Sequence, residues 1–470
     1  MFSEGSVTAL LLVIAWALSL PAAAQDAASK PKLYLEPTSV CGGTPPANND
    51  CGNARASETS SNFWNRETLT GDWFGARSFL EDSGVTFAAR VTHFGFGVAG
   101  GVDRPVPPPL GQGDSLAYTG RGEYDLILDL DKLVGLPHGR LLVRAEHWFG
   151  QFGNVALRVG SFAPAVFPAA LPPRPNDPGM PYLTNFLYTQ PLSKKLVLLL
   201  GKRDVVGAHD QDAFAGGDGT AQFINQALIA NPSFLLGLPY SSITAGAVSP
   251  QDWGRFSLFV WDAKDRTAEF FDFDTLFSKG VIVTGEVQVD THFFGLPGQQ
   301  HVGLIWGNRP LTDLRFGEPP PGEYPEPTLP GLPTLPSFYT LYHGWDQYFS
   351  SSSEGPNRGW GVFGRASISD GNPTPLRYFV SLGIGGDSPF GGERGDTFGI
   401  GWYFTGASTA FGPVPRLLFG PRNGTGVEIF YNFQVTPWLN ITPDIQFISP
   451  GAGAIANDAF VYGLRVNTRL

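Results

Sequence analysis

Residues 427–451 read VEIFYNFQVTPWLNITPDIQFISPG and contain two segments in which apolar and polar side chains alternate. In the first segment Val427, Ile429, Tyr431, Phe433 and Val435 alternate with Glu428, Asn432 and Gln434. In the second segment Leu439, Ile441, Ile445 and Phe447 alternate with Asn440, Thr442, Asp444 and Gln446. Because successive side chains of a β-strand point to opposite faces, this period of two predicts two strands with one apolar and one polar face.

The same alternation recurs from about residue 85 to the end of the chain, in segments of roughly ten residues. We place the segments near residues 85, 116, 139, 183, 194, 240, 254, 281, 299, 338, 359, 376, 396, 425, 438 and 459. Proline-rich stretches at 105–110, 164–182 and 318–336 fall between them. Proline lacks the donor that a sheet ladder needs, so these stretches belong to loops. We therefore expect an all-β fold of about sixteen strands.

Alternation alone fits a soluble β-sandwich as well as a transmembrane barrel, and the composition separates the two. Only 16% of the 470 residues are charged, and mean hydropathy is −0.04. A water-facing sheet surface would carry many Lys and Glu side chains, whereas the polar face here is rich in Gly, Ser, Thr and Asn. Aromatic residues near strand ends suit the interface girdles of a barrel, namely Trp360, Tyr403, Phe404, Tyr431, Phe433 and Trp438. We predict a transmembrane antiparallel β-barrel.

The beginning of the chain predicts export. Residues 7–20 are apolar, and Ala22 to Ala24 form a small-residue cleavage site, so we expect residues 1–24 to be a signal peptide. Residues 25–62 would then be a periplasmic segment, and residues 63–470 the barrel. Cys41 and Cys51 are the only cysteines, and they are expected to form a disulfide in an oxidising compartment. Two thiols without a nearby His or second Cys pair fall short of a zinc site.

Charge and motif content exclude several other functions. A net charge of −11 without a Lys/Arg cluster argues against nucleic acid as a partner. Nucleophile elbows, zinc-binding helices, phosphate loops and dinucleotide fingerprints do not occur, so we expect neither an enzyme nor a cofactor. Asp210, Asp212, Gly217 and Asp218 cluster as calcium ligands do. Because the EF-hand spacing is not kept, a polar loop is the preferred interpretation and no metal is expected.

Residues 69–84, LTGDWFGARSFLEDSG, predict a helix of about ten residues ahead of the first strand. Thr70 or Asp72 can cap it and Gly84 can end it. The helix would lead the chain into the barrel from the periplasmic side.

This stretch resembles the opening of the carbohydrate-selective outer-membrane porins, the OprB family, through Trp73, Gly75, Arg77, Leu80 and Gly84. Three further blocks are similar to that family. They are GKRDVVGAHDQDAFAGGDGTAQFINQAL from Gly201, LPYSSITAGAV from Leu238, and the two C-terminal segments from Val427 and Val461. The chain departs from outer-membrane barrels in general by ending at Leu470 rather than at an aromatic residue.

A sugar-selective pore needs charged or amide groups for hydrogen bonds and aromatic rings for stacking. By strand phase, the inward candidates are Arg144, Glu146, Trp148, Glu123, Asp125, Asp129, Glu286, Arg365, Arg377, Glu428, Asp444 and Arg465. The resemblance adds Lys202, Arg203, Asp204 and the segment 210–225 as a pore-narrowing element. Arg144, Glu146 and Trp148 are the first choice for solute contact. The alternative role for each residue is in paired charges that hold the barrel shape.

The resemblance implies passive, selective diffusion of glucose-like mono- and oligosaccharides through the cell outer membrane into the periplasm. A general non-selective porin, an outer-membrane barrel enzyme and a secreted sugar-binding β-sandwich remain alternatives. Expected partners are carbohydrate solutes, outer-membrane lipid and the barrel-assembly machinery. A homotrimer is the common assembly of sixteen-stranded porins, but no interface is visible in the sequence.

Overall fold

The structure is a computed structural model that describes residues 62–103, 115–151, 155–171, 180–269, 273–316, 333–350, 358–391 and 394–470. The predicted signal peptide and the Cys41–Cys51 pair lie outside the described residues. The proline-rich stretches at 105–110 and 318–336 also fall largely outside them.

The described chain consists mainly of β-strands. Their bounds are β1 Val85–Val102, β2 Leu116–Asp129, β3 Arg140–Gly150, β4 Tyr182–Ser193, β5 Leu196–Asp204, β6 Ser241–Gln251, β7 Gly254–Asp262, β8 Val281–Thr291, β9 Gly298–Gly307, β10 Leu311–Thr312, β11 Thr334–Leu335, β12 Phe338–Tyr348, β13 Trp360–Ser369, β14 Leu376–Asp387, β15 Thr397–Ala407, β16 Gly424–Thr436, β17 Leu439–Ser449 and β18 Ala456–Arg469.

Sixteen of these strands close into one antiparallel barrel in which each strand pairs with its neighbours along the chain. The barrel closes where β1 pairs with β18, in a register that runs from Arg90 opposite Arg469 to Val102 opposite Ala456. Strands β10 and β11 form a separate two-stranded ribbon. The predicted all-β barrel of about sixteen strands is confirmed, and each predicted segment corresponds to one barrel strand.

The two faces of the barrel wall differ as the alternation predicts. On β16, Glu428 and Asn432 are buried while Ile429 and Phe433 are exposed. The exposed large apolar side chains form an outward surface that includes Leu198, Leu200, Phe256, Leu258, Leu304, Trp306, Leu382, Ile400, Trp402, Phe447 and Leu464. Inward positions carry buried polar and charged groups, so the wall has an apolar outside and a polar inside, as a barrel in lipid requires.

Two predictions about strand faces are wrong in detail. Tyr403, predicted for an interface girdle, is inward and 1% exposed, and its ring lies against Gly426. The alternation in residues 376–385 predicts an outward apolar face that begins at Leu376, but Leu376 is buried, because the register between β14 and β15 shifts between Leu376 and Tyr378. A bulge of this kind reverses which face the residues on one side of it occupy.

The connections differ at the two ends of the barrel. At one end short turns join the strands, such as residues 194–195, 252–253 and 437–438, and at the other end the longer connections lie. The described helices are short: Ala76–Asp82, Leu130–Val134, Ala156–Val159, Phe167–Ala170, Gln226–Ile229, Pro232–Gly237 and Pro413–Phe419, with 3-10 turns at Trp73–Gly75 and Phe293–Gly295. Among the described residues, no helix is long and apolar enough to cross a membrane.

The predicted N-terminal helix is present but shorter than expected. It spans the seven residues Ala76–Asp82, because Phe74 (φ 60°) and Gly75 (φ 94°) turn through the left-handed region before it begins. Asp72 nevertheless caps it, since its Oδ1 accepts from Ser78 N at 2.8 Å. The helix C-cap is Ser83, and Gly84, with φ 95°, turns the chain from it into β1.

Arg77 joins the N-terminal segment to the end of the chain. Its Nη2 donates to the Leu470 carbonyl oxygen at 3.0 Å, its Nη1 donates to Thr68 Oγ1 at 3.2 Å, and its guanidinium lies 4.6 Å from the centre of the Trp73 ring. Leu69 N donates to the Arg469 oxygen at 2.8 Å. The motif residues Trp73 and Arg77 therefore fasten the closing strand pair β1–β18 at its short-turn end.

Replacing Arg77 by Ala should destabilise the barrel by about 2 kcal/mol, because hydrogen bonds from a buried charged group are lost. The measurement is the temperature at which the folded band disappears in heat-modifiability gels. Arg140→Ala, an exposed arginine at the same end of the barrel, is the control. Equal transition temperatures for the two variants would contradict this role of Arg77.

Candidate functional site

The connection between β5 and β6, residues 205–240, folds into the barrel interior, and we call it the inserted segment. Phe214, Phe223, Ile224 and Phe234 along it are at most 1% exposed. The Phe223 ring packs edge-on against Phe430 of β16 at a centroid distance of 4.9 Å. The apolar side chains of the segment therefore pack against inward rings of the far wall.

A second connection, residues 155–171 between β3 and β4, packs beside the inserted segment. Val155, Val159 and Val166 are fully buried and share a core with Phe94 and Phe96 of β1. Two backbone hydrogen bonds join the two connections, from Phe167 N to the Ile224 oxygen and from Gln226 N to the Pro164 oxygen, each 3.0 Å long. Together the two connections narrow the barrel interior.

Charged groups of the wall hold the inserted segment through its backbone. Glu428 accepts from Ile224 N at 2.6 Å and from Asn225 N at 2.9 Å. Arg465 Nη1 donates to the carbonyl oxygens of Gly219 at 2.9 Å and Gln222 at 2.6 Å. These contacts satisfy backbone groups that the irregular segment could not pair within itself.

The opposite wall holds the segment in the same way. Arg365 Nη1 donates to the Leu228 oxygen at 3.1 Å, and Arg365 Nη2 lies 2.6 Å from Asp212 Oδ2. Glu286 Oε2 accepts from Asp210 N at 2.8 Å. On β17, next to Glu428 and Arg465, Asp444 accepts from Gln446 Nε2 at 3.0 Å, and Gln446 in turn accepts from Asn225 Nδ2 at 3.0 Å.

Inward side chains of β1, β2 and β3 and one aspartate of the inserted segment form a group that we call the arginine–carboxylate cluster: Arg90, Arg121, Glu123, Glu146 and Asp218. Arg121 Nη2 lies 2.7 Å from Glu146 Oε1 and 3.2 Å from Glu123 Oε1. Arg90 Nε donates to Glu123 Oε2 at 2.8 Å, and Arg90 also pairs with Asp218 of the inserted segment. The cluster therefore bridges the wall and the segment.

Two acidic groups of the inserted segment have shifted pKa values. Burial opposes ionisation of Asp218, but Arg90 and Arg121 outweigh it and hold the pKa of that carboxyl well below its usual value. Burial raises the pKa of Asp212 to about 6, with Arg365 acting in the opposite direction. The two arginines therefore favour the ionised form of Asp218, which joins the inserted segment to the wall.

Arg144 and its partners continue the network towards β5. The Arg144 guanidinium forms a two-bond pair with Asp125, with distances of 2.6 Å from Nε to Oδ1 and 2.8 Å from Nη2 to Oδ2. Its Nη1 lies 3.6 Å from Asp204 Oδ2. Arg203 lies with its guanidinium 5.2 Å from the centre of the Phe259 ring.

Trp148 adjoins the cluster and is 1% exposed. Arg121 Cζ lies 5.7 Å from the centre of its ring, and Tyr240 packs edge-on at 6.0 Å. The Tyr240 hydroxyl donates to Glu146 Oε2 at 2.7 Å. Among the buried side-chain atoms without a hydrogen-bond partner are Trp148 Nε1, Arg121 Nε and Arg121 Nη1. Two donors of Arg121 and one of the neighbouring Trp148 therefore lack a hydrogen-bond acceptor, although Arg121 Nη1 lies 4.0 Å from Asp218 Oδ2.

Three of the predicted pore residues do not belong to the arginine–carboxylate cluster. Asp129 caps the helix Leu130–Val134, accepting from Asp131 N at 3.1 Å, at the short-turn end. Arg377 is at the β14 bulge, where it donates to the hydroxyl of outward-facing Tyr378 at 3.1 Å. Lys202 donates to the Glu269 carbonyl oxygen at 2.6 Å, in the connection after β7. A fixed period of two, which selected Arg377, cannot foresee the bulge, and the resemblance, which supplied Lys202, does not indicate the connection that bonds it.

Sequence reasoning missed Arg90, Arg121 and Tyr240. Arg121 has the same strand phase as Glu123, and Arg90 is the Cα partner of Glu123 across β1 and β2. Strand phase could thus have found both arginines. Tyr240 reaches the cluster from the end of the inserted segment, and no signal in the sequence places it there.

The aspartates that were considered as calcium ligands pair with cationic side chains. Asp210 lies 3.1 Å from His301 Nε2 and 3.3 Å from Arg365 Nε, and Asp218 pairs with Arg90. Within the described ranges, no group of three or more His, Cys, Asp or Glu side chains could hold a metal ion. The carboxylates of this segment therefore serve as anchors to the wall.

Comparison with known protein families gives a match over most of the chain. A family model described as "Carbohydrate-selective porin, OprB family" matches residues 113–470. Porin B of Pseudomonas aeruginosa is 25% identical over 146 residues, which is 27% of this chain and 32% of that protein. The matched region thus spans about a third of the curated relative.

Two solved structures are similar to the whole described fold. The high-pH structure of Pseudomonas putida OprB has a TM-score of 0.71 at 18% identity and covers 87% of this chain and 100% of its own. The low-pH structure of the same protein has a TM-score of 0.52 at 15% identity and covers 86% of this chain and 99% of its own. At these identities the likeness shows the fold.

Replacing Glu428 by Ala should loosen the inserted segment, because Ile224 N and Asn225 N lose their acceptors while buried. Amide hydrogen exchange at these two residues should become at least about tenfold faster. Asp252→Ala, in the exposed turn between β6 and β7, is the control. Unchanged exchange in Glu428→Ala would show that side-chain packing alone holds the segment.

Proposed function

The chain belongs to the carbohydrate-selective porins of the OprB family, and we propose that it lets glucose-like mono- and oligosaccharides diffuse passively into the periplasm. The family and the fold are those of outer-membrane channels. Transmembrane barrels of bacteria have short periplasmic turns and longer external loops. The end at which residues 194–195, 252–253 and 437–438 form the turns is therefore the periplasmic end.

The unpaired donors at Arg121 and Trp148 carry the proposal. Buried polar groups are almost always hydrogen-bonded, so donors without protein acceptors mark a place for water or ligand. Sugar hydroxyls can supply such acceptors, and Glu123 and Glu146 nearby can accept from the same hydroxyls. Because each arginine of the cluster is already paired with a carboxylate, the site favours a neutral hydroxylated solute over a small ion.

Trp148 contributes its N–H in this arrangement. Both the Arg121 guanidinium and the Tyr240 ring already contact its indole. We assign it to donating through Nε1 and to holding Arg121 in place. The inward charged residues of the wall divide accordingly: the arginine–carboxylate cluster meets the solute, whereas Glu286, Arg365, Glu428 and Arg465 hold the inserted segment.

Passive diffusion distinguishes this proposal from an outer-membrane enzyme. We propose that the protein catalyses no reaction, and turnover of a model ester, peptide or glycoside by the purified protein would contradict this. A general non-selective porin is the remaining alternative, and it would pass ions without any effect of added sugar. We also propose cleavage of the signal peptide after residue 24 and insertion by the barrel-assembly machinery.

We propose further that the barrels assemble as homotrimers through the outward face of β1–β3. His93 Nδ1 and the Tyr118 hydroxyl are 2.7 Å apart, and the rings of His147 and Phe149 stack at 5.2 Å. The Phe149 ring covers Gly120, where an added Cβ would approach it to 2.0 Å, so the rings lie flat on the sheet. The polar rings of His93, Tyr118 and His147 on an outward face favour contact with a second copy over contact with lipid tails.

The decisive measurement of function is single-channel current in planar bilayers while glucose or maltotriose is added. Saturable loss of current is expected for the unmodified protein. Trp148→Phe keeps the ring and removes only the donor, so sugar binding should weaken about fivefold with ion conductance nearly unchanged. Trp402→Phe, on the outward face, is the matched control. Channels of the unmodified protein that ignore sugar would leave only a general porin.

Assembly is tested by the mass of the detergent-solubilised protein from light scattering. The unmodified protein should have the mass of three chains, and His93→Leu combined with His147→Leu should shift it towards one chain. Trp402→Leu serves as the control on another part of the outward surface. A single-chain mass for the unmodified protein would overturn the trimer proposal while leaving the pore unaffected.

A further inference from the structure

A cavity lies on the periplasmic side of the inserted segment, between the segment and the wall formed by β15–β18 and β1. Its lining includes Gln222 of the segment and Asn432, Gln434, Asn440, Asn467 and Arg90 of the wall. Gln434 and Asn440 flank the short turn between β16 and β17, which places the cavity at the short-turn end. The cavity is thus set between the narrowed interior and the periplasmic mouth.

Three of the amides are direct neighbours across the sheet. Gln434 is the Cα partner of Asn440, and Asn440 is the Cα partner of Asn467. Adjacent strands are about 4.8 Å apart, so these side chains form a row at that spacing along one wall of the cavity. Gln222 approaches the same cavity from the inserted segment.

Hydrogen bonds orient two of the wall amides and the segment amide. Asn467 Nδ2 donates to Thr220 O at 3.0 Å, and Asn432 accepts from Thr442 Oγ1 at 2.8 Å. Gln222 Nε2 donates to the Ala213 oxygen at 2.9 Å. A side-chain amide offers two donor hydrogens and two acceptor lone pairs, so these bonds fix its plane without using its whole capacity.

The chemistry of this lining differs from that of the arginine–carboxylate cluster. Amides both donate and accept, as sugar hydroxyls do, and they carry no charge that would retain an ion. Four charged residues also border the cavity: Arg90 bonds Glu123, Arg358 Nε lies 3.0 Å from Asp387 Oδ2, and Arg469 is the fourth. A neutral polyhydroxylated molecule is the ligand that matches such a lining.

Arg90 connects the two places. It belongs to the arginine–carboxylate cluster through Glu123 and Asp218, and it also lines the amide cavity. A solute that leaves the cluster towards the periplasm therefore meets the amide row next.

We propose that this amide-lined cavity is a second carbohydrate subsite, on the exit side of the pore. The inference rests on the proposed sugar diffusion and adds a place where the sugar binds after it has passed the cluster. A second weak subsite shortens the distance between successive binding positions, so the sugar need not leave the cluster directly into bulk water.

Thiol protection tests the subsite in the full-length protein. Asn440→Cys is prepared with Cys41→Ser and Cys51→Ser, and its reaction with a methanethiosulfonate reagent is timed with and without saturating maltotriose. Sugar in the subsite should slow modification at position 440 about fivefold or more. Gln288→Cys, an amide position on β8 across the barrel, is the matched control and should react at the same rate with or without sugar.

A second variant tests the subsite without relying on the reactivity of a cysteine. Asn440→Leu combined with Gln434→Leu should weaken the block of current by maltotriose about tenfold while conductance in KCl stays near that of the unmodified protein, because no charge is changed. Unprotected modification at position 440 together with an unchanged block would overturn the exit subsite alone. Absence of any block in the unmodified protein would instead overturn the proposed function.

Discussion

The pairing of β1 with β18 is the constraint on which the rest of the structure depends. In lipid every backbone donor and acceptor of a strand needs a partner within the sheet, so an open edge is not tolerated. The register from Arg90 opposite Arg469 to Val102 opposite Ala456 removes both edges at once. The N-terminal helix supports this closure from the short-turn end, where Arg77 reaches the last carbonyl of the chain.

Closure creates an interior whose space must be filled and whose polar groups need hydrogen-bond partners. Irregular backbone inside a barrel needs partners for its own N–H and C=O groups, and charged side chains of the wall supply them. Glu428 and Arg365, on different parts of the wall, both bond the backbone of the inserted segment. Arg365 is in addition paired with Asp210 and Asp212 of the segment, so these wall residues are committed to holding the segment.

The polar interior divides into two chemical zones as a result. Beside β1–β3 the arginines and carboxylates pair with each other, and around Arg121 and Trp148 donors are left without acceptors. Towards the periplasm the lining changes to amides on β16, β17 and β18. Both zones suit hydroxyl groups, and Arg90 lies at their boundary. Passage without energy coupling requires binding that is weak and repeated, which two modest zones provide better than one strong site.

The sequence by itself determined the barrel, because a period of two along every strand dictates one apolar and one polar face, and this holds wherever the ladder is regular. It also identified Glu123, Glu146 and Trp148 as inward residues by phase alone. Strand phase did not predict the positions of Arg377, where a bulge shifts the register, and Asp129, which caps a short helix. Only the tertiary structure decided which inward charges hold the inserted segment and which remain for the solute in the proposed pore. That division depends on where residues 205–240 lie inside the barrel, and contacts as distant in sequence as Asp218 with Arg90 have no local signal.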